Sequence, residues 1–268
     1  MKDFSNWNYR VDGDGTPLLL VNGQFSSRAS WDETVSDLSR YHRVLTVEFP
    51  NQSNSPTDTS FDNMRAYAEF LRDFLSWLDV PSQDVIAHGY SFGGNVLRFM
   101  SQQMEVRFKA LIYGGLASTS LQHFHMARAT AWKDVLRNCS VETFASIMLL
   151  QSYSPGFVAK NPDRFRKIVA DYADLYRARP EAIEALIDAN HDFVTLAGAM
   201  QERYNEPVYL IGSASDLLMP LNYVHEYGKE IGATKVYSLP GGHASRVEQP
   251  EALANILHEI CAAHDLGV

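Results

Sequence analysis

The sequence predicts a parallel α/β fold with helices on both faces of a central sheet. Two observations carry this. Short apolar runs punctuated by Gly, Pro, Asn and Ser alternate with longer segments of helical period. The apolar runs are also nearly uninterrupted, as in strands covered on both sides, and lack the alternation of a sheet with one wet face. Six strands are expected, over residues 18–21, 44–49, 85–87, 110–113, 208–211 and 236–239.

The first strand runs into the turn-rich loop Asn22-Gly23-Gln24-Phe25-Ser26-Ser27. Between the second and third, Met64, Tyr67, Ala68, Leu71, Phe74, Leu75 and Leu78 recur at three- and four-residue intervals, which predicts an amphipathic crossover helix. The third strand leads to Gly89-Tyr90-Ser91-Phe92-Gly93-Gly94 and then to helix-compatible residues 95–100. After the fourth strand, residues 117–200 contain at least three helical patterns and no convincing strand. That interval is too long for an ordinary crossover. It is expected to be an inserted helical cap, not an independent domain, leaving residues 1–116 and 201–268 as the α/β core. The last two strands end in Gly212-Ser213-Ala214-Ser215-Asp216 and Pro240-Gly241-Gly242-His243.

Composition narrows the function classes. The chain has 268 residues, 46% hydrophobic and 21% charged, with a net charge of −9. At this length about three quarters of the unfolded surface can be buried, so no disulfide or metal staple is needed. The negative charge disfavours nucleic acid as a partner. No apolar run approaches the ~20 residues of a membrane span. The polar, acidic start Met1-Lys2-Asp3-Phe4-Ser5-Asn6-Trp7 lacks the basic and apolar regions of a signal peptide, so a cytoplasmic location is expected. Cys139 and Cys261 lie far apart, with no histidine at ligand spacing; free thiols are expected, and neither a metal nor another cofactor. Residues 117–200 hold nine basic and nine acidic side chains, while the rest holds 14 basic and 23 acidic, so the excess acid belongs to the α/β core.

A Gly-x-Ser-x-Gly run flanked by a strand and a helix supplies the context of a nucleophile elbow. The glycines two positions either side of Ser91 relieve a sharp, strained turn that exposes the hydroxyl at a helix N-terminus. A serine nucleophile needs a base, and the base an orienting acid. His243 and Asp216 follow the last two strands in the required chain order, Ser91, Asp216, His243. A developing oxyanion needs donors. The backbone N–H of Phe92 is one candidate; the loop after the first strand offers Gln24, then Phe25, as the other. His88 is expected to make a structural hydrogen bond in a buried strand, and Glu248 to serve the N-terminal dipole of the last helix.

These residues resemble the α/β-hydrolase superfamily over nearly the whole chain: Asn22-Gly23 with Trp31, Glu48-Phe49-Pro50, the elbow, Asp216 with Pro220, and His243. Two departures stand out. Asn22-Gly23 replaces the usual His-Gly, and the segment Glu48 to Ser55 departs from Asp-x-Pro-Gly-x-Gly-x-Ser. Val21-Asn22-Gly23, that segment, residues Met126 to Trp132 and Ser152-Tyr153-Ser154-Pro155 look like the synthase that joins two 3-hydroxyacyl groups into the rhamnolipid lipid precursor.

The resemblance implies an enzyme acting on an acyl ester or thioester through an acyl-enzyme on Ser91. Serine rather than aspartate at the elbow argues against dehalogenase or epoxide hydrolase chemistry. With water as acceptor the enzyme is an esterase or thioesterase; with a hydroxyl acceptor it is an acyltransferase. A small-ligand binding protein on the same fold is the alternative of another class. The segment 117–200 supplies Phe124, Trp132, Phe144, Met148, Leu149, Leu150, Phe157 and Phe165 as a stripe that packs or lines an acyl pocket. Trp132, Met148, Phe157 and, after the fifth strand, Met219 are the candidate substrate-binding residues. An acyl carrier protein or CoA thioester is a candidate donor. The stretch from Lys160 to Arg179, with six basic and three acidic residues, is either its docking surface or a solvated helix face.

Overall fold

The computed structural model describes residues 3–116, 119–198 and 200–265. Among them, seven strands form one sheet in the order β1-β3-β2-β4-β5-β6-β7. They are β1 (Tyr9–Asp12), β2 (Pro17–Val21), β3 (Arg43–Val47), β4 (Ile86–Tyr90), β5 (Ala110–Gly114), β6 (Val208–Ser213) and β7 (Lys235–Leu239). Every pairing is parallel except β1 against β3, where Tyr9 faces Val47. The six expected strands are present. β1 is additional, because an edge strand reading Tyr-Arg-Val-Asp, with Arg10 and Val11 exposed, carries no continuous apolar run.

Helices α1 (Asp32–Leu38), α2 (Met64–Trp77) and α3 (Phe92–Gln103) lie between the early strands; α4 (Gln122–Asn138), α5 (Val141–Ser152), α6 (Pro155–Lys160), α7 (Pro162–Tyr176) and α8 (Pro180–Ala197) lie between β5 and β6; α9 (Leu221–Glu230), α10 (Ser245–Glu248) and α11 (Pro250–Asp265) follow. The start of α2 is set by Asn63, whose side chain accepts from the Ala66 N–H at 3.1 Å. Its predicted apolar stripe is buried from Met64 to Leu75, while Leu78, the C-cap, is partly buried.

Strand alternation divides the core into two layers. Leu19 and Val21 pack with α2, α3 and α9, whereas Leu18 and Leu20 pack with α1 and α11. A third apolar cluster joins α4, α5 and α7 to Leu218, Met219 and Ala244 of the loops after β6 and β7. α8 serves two layers: Ile183 and Ile187 enter that third cluster, while Leu186 and Phe193 enter the sheet core. The α4–α8 layer is thereby packed directly over the loops at the C-terminal ends of the strands. Residues 117, 118 and 199, near the ends of that interval, lie outside the described residues.

Candidate active site

The turn from β4 into α3 places Ser91 at φ 51°, ψ −112°, a left-handed conformation that a non-glycine residue adopts only when its surroundings impose it. The surroundings are visible. The Ser91 N–H donates to Gly114 O at 2.7 Å, and the Asn95 N–H donates to Ser91 O at 3.0 Å. A Cβ at Gly89 would lie 2.5 Å from Gly93 O, and one at Gly93 would lie 2.6 Å from both Val21 O and Asn22 O. Both glycines are therefore required by backbone contact.

Asp216 and His243 reach the same end of the sheet from the loops after β6 and β7. The buried Asp216 carboxylate accepts from the Leu218 and Met219 N–H groups at 2.8 Å each through Oδ1, and Oδ2 lies 2.7 Å from His243 Nδ1. Tyr90 sets its ring edge-on to the imidazole at 5.5 Å. Gly115, at φ +59°, makes room for that ring; a Cβ there would sit 2.8 Å from His243 Cε1. Ser91 and His243 line one cavity of about 240 Å³, roofed by α4, α5, α7 and α8.

Gln24 and Phe25 occupy the centre of a turn closed by the Ser26 N–H donating to Gly23 O at 3.2 Å. The turn abuts the elbow: a Cβ on Gly23 would lie 3.8 Å from Ser91 Cβ. Phe92 opens α3, where a backbone N–H has no intrahelical acceptor. Its ring packs edge-on to Tyr67 at 4.9 Å.

Sequence reasoning missed what holds this turn. Gln52 is fully buried. Its Nε2 donates to Gly23 O at 2.8 Å and Gln24 O at 3.2 Å, while its Oε1 accepts from Asn22 Nδ2 at 3.2 Å and the Phe49 N–H at 3.3 Å. Asn22 Oδ1 in turn accepts from Trp31 Nε1 at 2.7 Å. The same loop bears the α4–α8 layer: Tyr176 OH accepts from the Ser53 N–H at 2.9 Å, and Arg179 donates to Ser53 O and to Ser55 O. The only available signal is that this segment departs from the family pattern.

Trp132, Met148 and Met219 line the cavity, as does Leu149. Phe157 is elsewhere, stacked on Tyr153 at 5.0 Å beneath the Arg164 guanidinium. Phe144 and Phe165 pack within the helical layer, and Phe124 and Leu150 are exposed. His88 makes the expected structural contact, Nδ1 to Ile112 O at 3.1 Å, and burial pushes its pKa down to about 4. Glu248 corrects the expectation of a helix-opening role. It ends α10, two residues before α11 begins, and accepts from Ser154 N–H, Ser154 Oγ and Gly242 N–H at 2.9, 2.5 and 3.1 Å. It thus ties the start of α6 to the His243 loop. In the basic stretch, Arg166, Lys167 and Arg177 are paired with Asp163, Asp171, and Glu142 and Asp174, and Arg179 turns inward. Half of its six basic side chains are thus locally neutralised.

A mostly parallel sheet of this order, with the loops that carry Ser91, Asp216 and His243 gathered at one end beneath a helical layer, defines an α/β-hydrolase fold. The chain matches the Alpha/beta hydrolase family over residues 18–256 and belongs to it. It is 25% identical to a putative carbamate hydrolase of Pseudomonas savastanoi pv. phaseolicola, over 88% of this chain and 90% of that one. It is 23% identical to a pimeloyl-[acyl-carrier protein] methyl ester esterase of Vibrio campbellii, over 96% and 99%. Among solved structures it resembles a thermophilic esterase from Thermogutta terrifontis, with a TM-score of 0.79, 19% identity, and coverage of 96% and 93%. The chain spans 66% of the length of an uncharacterised Mycobacterium tuberculosis protein that it matches at 19% identity.

Proposed function

We propose that the protein is a serine hydrolase that cleaves an ester or thioester through an acyl-enzyme on Ser91. The observation that carries this reading is a serine held in a left-handed turn on the wall of the cavity it shares with an imidazole, itself bonded to a buried carboxylate. An ionised carboxylate only accepts, so Asp216 fixes the proton on His243 Nδ1 and leaves Nε2 free to take the Ser91 proton as Oγ attacks the carbonyl. Asp216 also stabilises the imidazolium that forms. The Phe92 and Gln24 N–H groups serve as oxyanion donors; among the described residues neither Gln24 nor Phe25 uses its N–H in a backbone bond. His243 then returns the proton to the leaving alcohol or thiol, and water releases the acyl group. The methyl ester esterase relative of Vibrio campbellii supports ester cleavage as the reaction class. We read residues 117–200 as the cap that shapes the acyl pocket through Trp132, Met148 and Met219.

Turnover of p-nitrophenyl esters tests the reading. Ser91→Ala and His243→Ala each lower kcat by roughly 10⁴-fold or more, and Asp216→Asn by a similar factor. Wild-type activity that survives Ser91→Ala contradicts the mechanism, and an inactive wild type favours the binding-protein alternative. Incubation with 3-hydroxyacyl and plain acyl thioesters on CoA or acyl carrier protein, with products read by mass, separates the acceptors. Free acid identifies a hydrolase; a dimeric ester identifies the acyltransferase that the rhamnolipid-precursor resemblance implies.

A further inference from the structure

Three arginines line the cavity, and their surroundings differ. Arg98 is neutralised: it pairs with the buried Glu202, which also accepts from Tyr204 OH and Tyr227 OH. Arg128 and Arg246 form no salt bridge among the described residues. Arg128, on α4, donates one Nη1–H to Leu218 O at 3.1 Å and lies over the rings of Phe124 and Trp132 at 5.6 and 5.3 Å. Among the described residues its other four N–H donors make no hydrogen bond. Arg246, on α10, is 9% exposed. It donates to the hydroxyls of Ser26 and Ser30 beside the Gln24 turn and lies over Tyr90 at 5.1 Å.

Among the described residues no Asp or Glu lines the cavity, Asp216 standing behind the lining residue His243. Its wall therefore carries two guanidinium groups without a salt-bridge partner among the described residues, Arg128 feeling only the field of the Asp216 carboxylate, inside a chain whose net charge is −9. Removing a guanidinium from water is unfavourable, and burial lowers the pKa of both, to about 10 for Arg128, where the nearby Asp216 carboxylate offsets part of the effect. His125 adds no positive charge near neutral pH, because burial beside Arg128 and His243 pushes it down to about 3. Two of the lining residues, Trp132 and Tyr172, also hold a buried polar atom, Nε1 and OH, with no partner among the described residues. A cavity lined by spare donors and positive charge is complementary to an anion with several acceptor lone pairs.

We propose that the substrate carries a carboxylate in addition to its ester, and that Arg128 binds that carboxylate inside the cavity while Arg246 adds a second positive charge beside the Gln24 turn. The planar guanidinium matches a carboxylate in a two-bond fork, which a neutral isostere cannot reproduce. Because carboxylate and ester share one cavity of about 240 Å³, the substrate class is a compact hemiester of a dicarboxylic acid. This assignment rests on the proposed acyl-enzyme chemistry at Ser91.

The test compares the monomethyl esters of succinic, glutaric and adipic acids with the corresponding methyl ester monoamides, in which a carboxamide of the same shape replaces the carboxylate. The wild type hydrolyses the best carboxylate ester with kcat/KM at least tenfold above its amide, the difference residing in KM. Arg128→Gln abolishes that preference, and Arg128→Lys retains part of it. Equal kcat/KM for each acid–amide pair overturns the carboxylate assignment and leaves the serine hydrolase standing. Calorimetry with glutarate and the Ser91→Ala protein reads the anion site without turnover. Binding that weakens at least tenfold in Ser91→Ala/Arg128→Gln supports the site even where hydrolysis fails, and no binding overturns it. Absence of turnover together with retained glutarate binding places the failure in the Ser91 chemistry.

Discussion

Replacing Gln52 by Leu tests whether the turn that carries the Gln24 N–H depends on a side chain outside the Ser91, Asp216 and His243 set. The substitution keeps the volume and removes four hydrogen bonds, to Gly23 O, Gln24 O, Asn22 Nδ2 and the Phe49 N–H. Gln52 has no exposed surface, so the partners left behind are not rehydrated. A buried group that loses its partner costs about 1–3 kcal/mol, and local relaxation recovers part of it, which puts the loss of stability at roughly 2–4 kcal/mol. For a chain of this size that lowers Tm by about 5–10 °C. The effect on rate is separate. The two carbonyls that Gln52 holds belong to the turn facing Ser91, and loss of one oxyanion donor costs about 10²–10³ in kcat. Gln52→Leu is thus expected to lower kcat about 100-fold with KM little changed, measured well below its Tm on a p-nitrophenyl ester. A variant whose Tm falls as expected while kcat stays within twofold of wild type refutes the reasoning, because the turn would then not be positioning a donor.

The two classes of glycine behave oppositely. Gly93→Ala drives a Cβ to 2.6 Å from two backbone oxygens, so it costs about 3 kcal/mol or more in urea unfolding and disrupts the elbow. Gly156→Ala, in α6 with no atom within 4 Å of the added Cβ, stabilises by about 0.5–1 kcal/mol without changing kcat. His88 supplies a pH dependence. Its folded pKa is held at about 4 against 6.5, so between pH 6.5 and 4 the unfolded chain binds the extra proton and stability falls as pH is lowered, by about 3 kcal/mol in total. His88→Gln removes that part of the slope from denaturation curves taken across the window. An unchanged slope in the variant contradicts the assignment.

The fold was legible where burial on both faces writes a continuous apolar run, as in β2, β5 and β6, and where a strained turn demands glycine, as at Gly89 and Gly93. Their positions just after the fifth and sixth predicted strands placed Asp216 and His243 on neighbouring loops, and the structure brings them to 2.7 Å. What stayed hidden has a common physical character. β1 is an edge strand whose side chains mix polar and apolar, so no pattern separates it from loop. Gln52, Arg128 and Arg246 act through contacts between segments far apart in the chain, such as Gln52 with Gly23 and Arg128 with Leu218. No local spacing encodes those meetings. Phe157 shows the converse: an aromatic residue at helical spacing in the right segment packs on Tyr153 and not on the cavity wall, because side-chain direction is set by how α6 docks.

The central claim is that Ser91 is a nucleophile activated by His243. The most direct measurement is intact-protein and peptide mass spectrometry after treatment with a fluorophosphonate, which labels only an activated serine. The expected result is one adduct, mapped to Ser91, with none on Ser91→Ala and much slower labelling of His243→Ala. A wild type that stays unlabelled, or an adduct that persists in Ser91→Ala, contradicts the account.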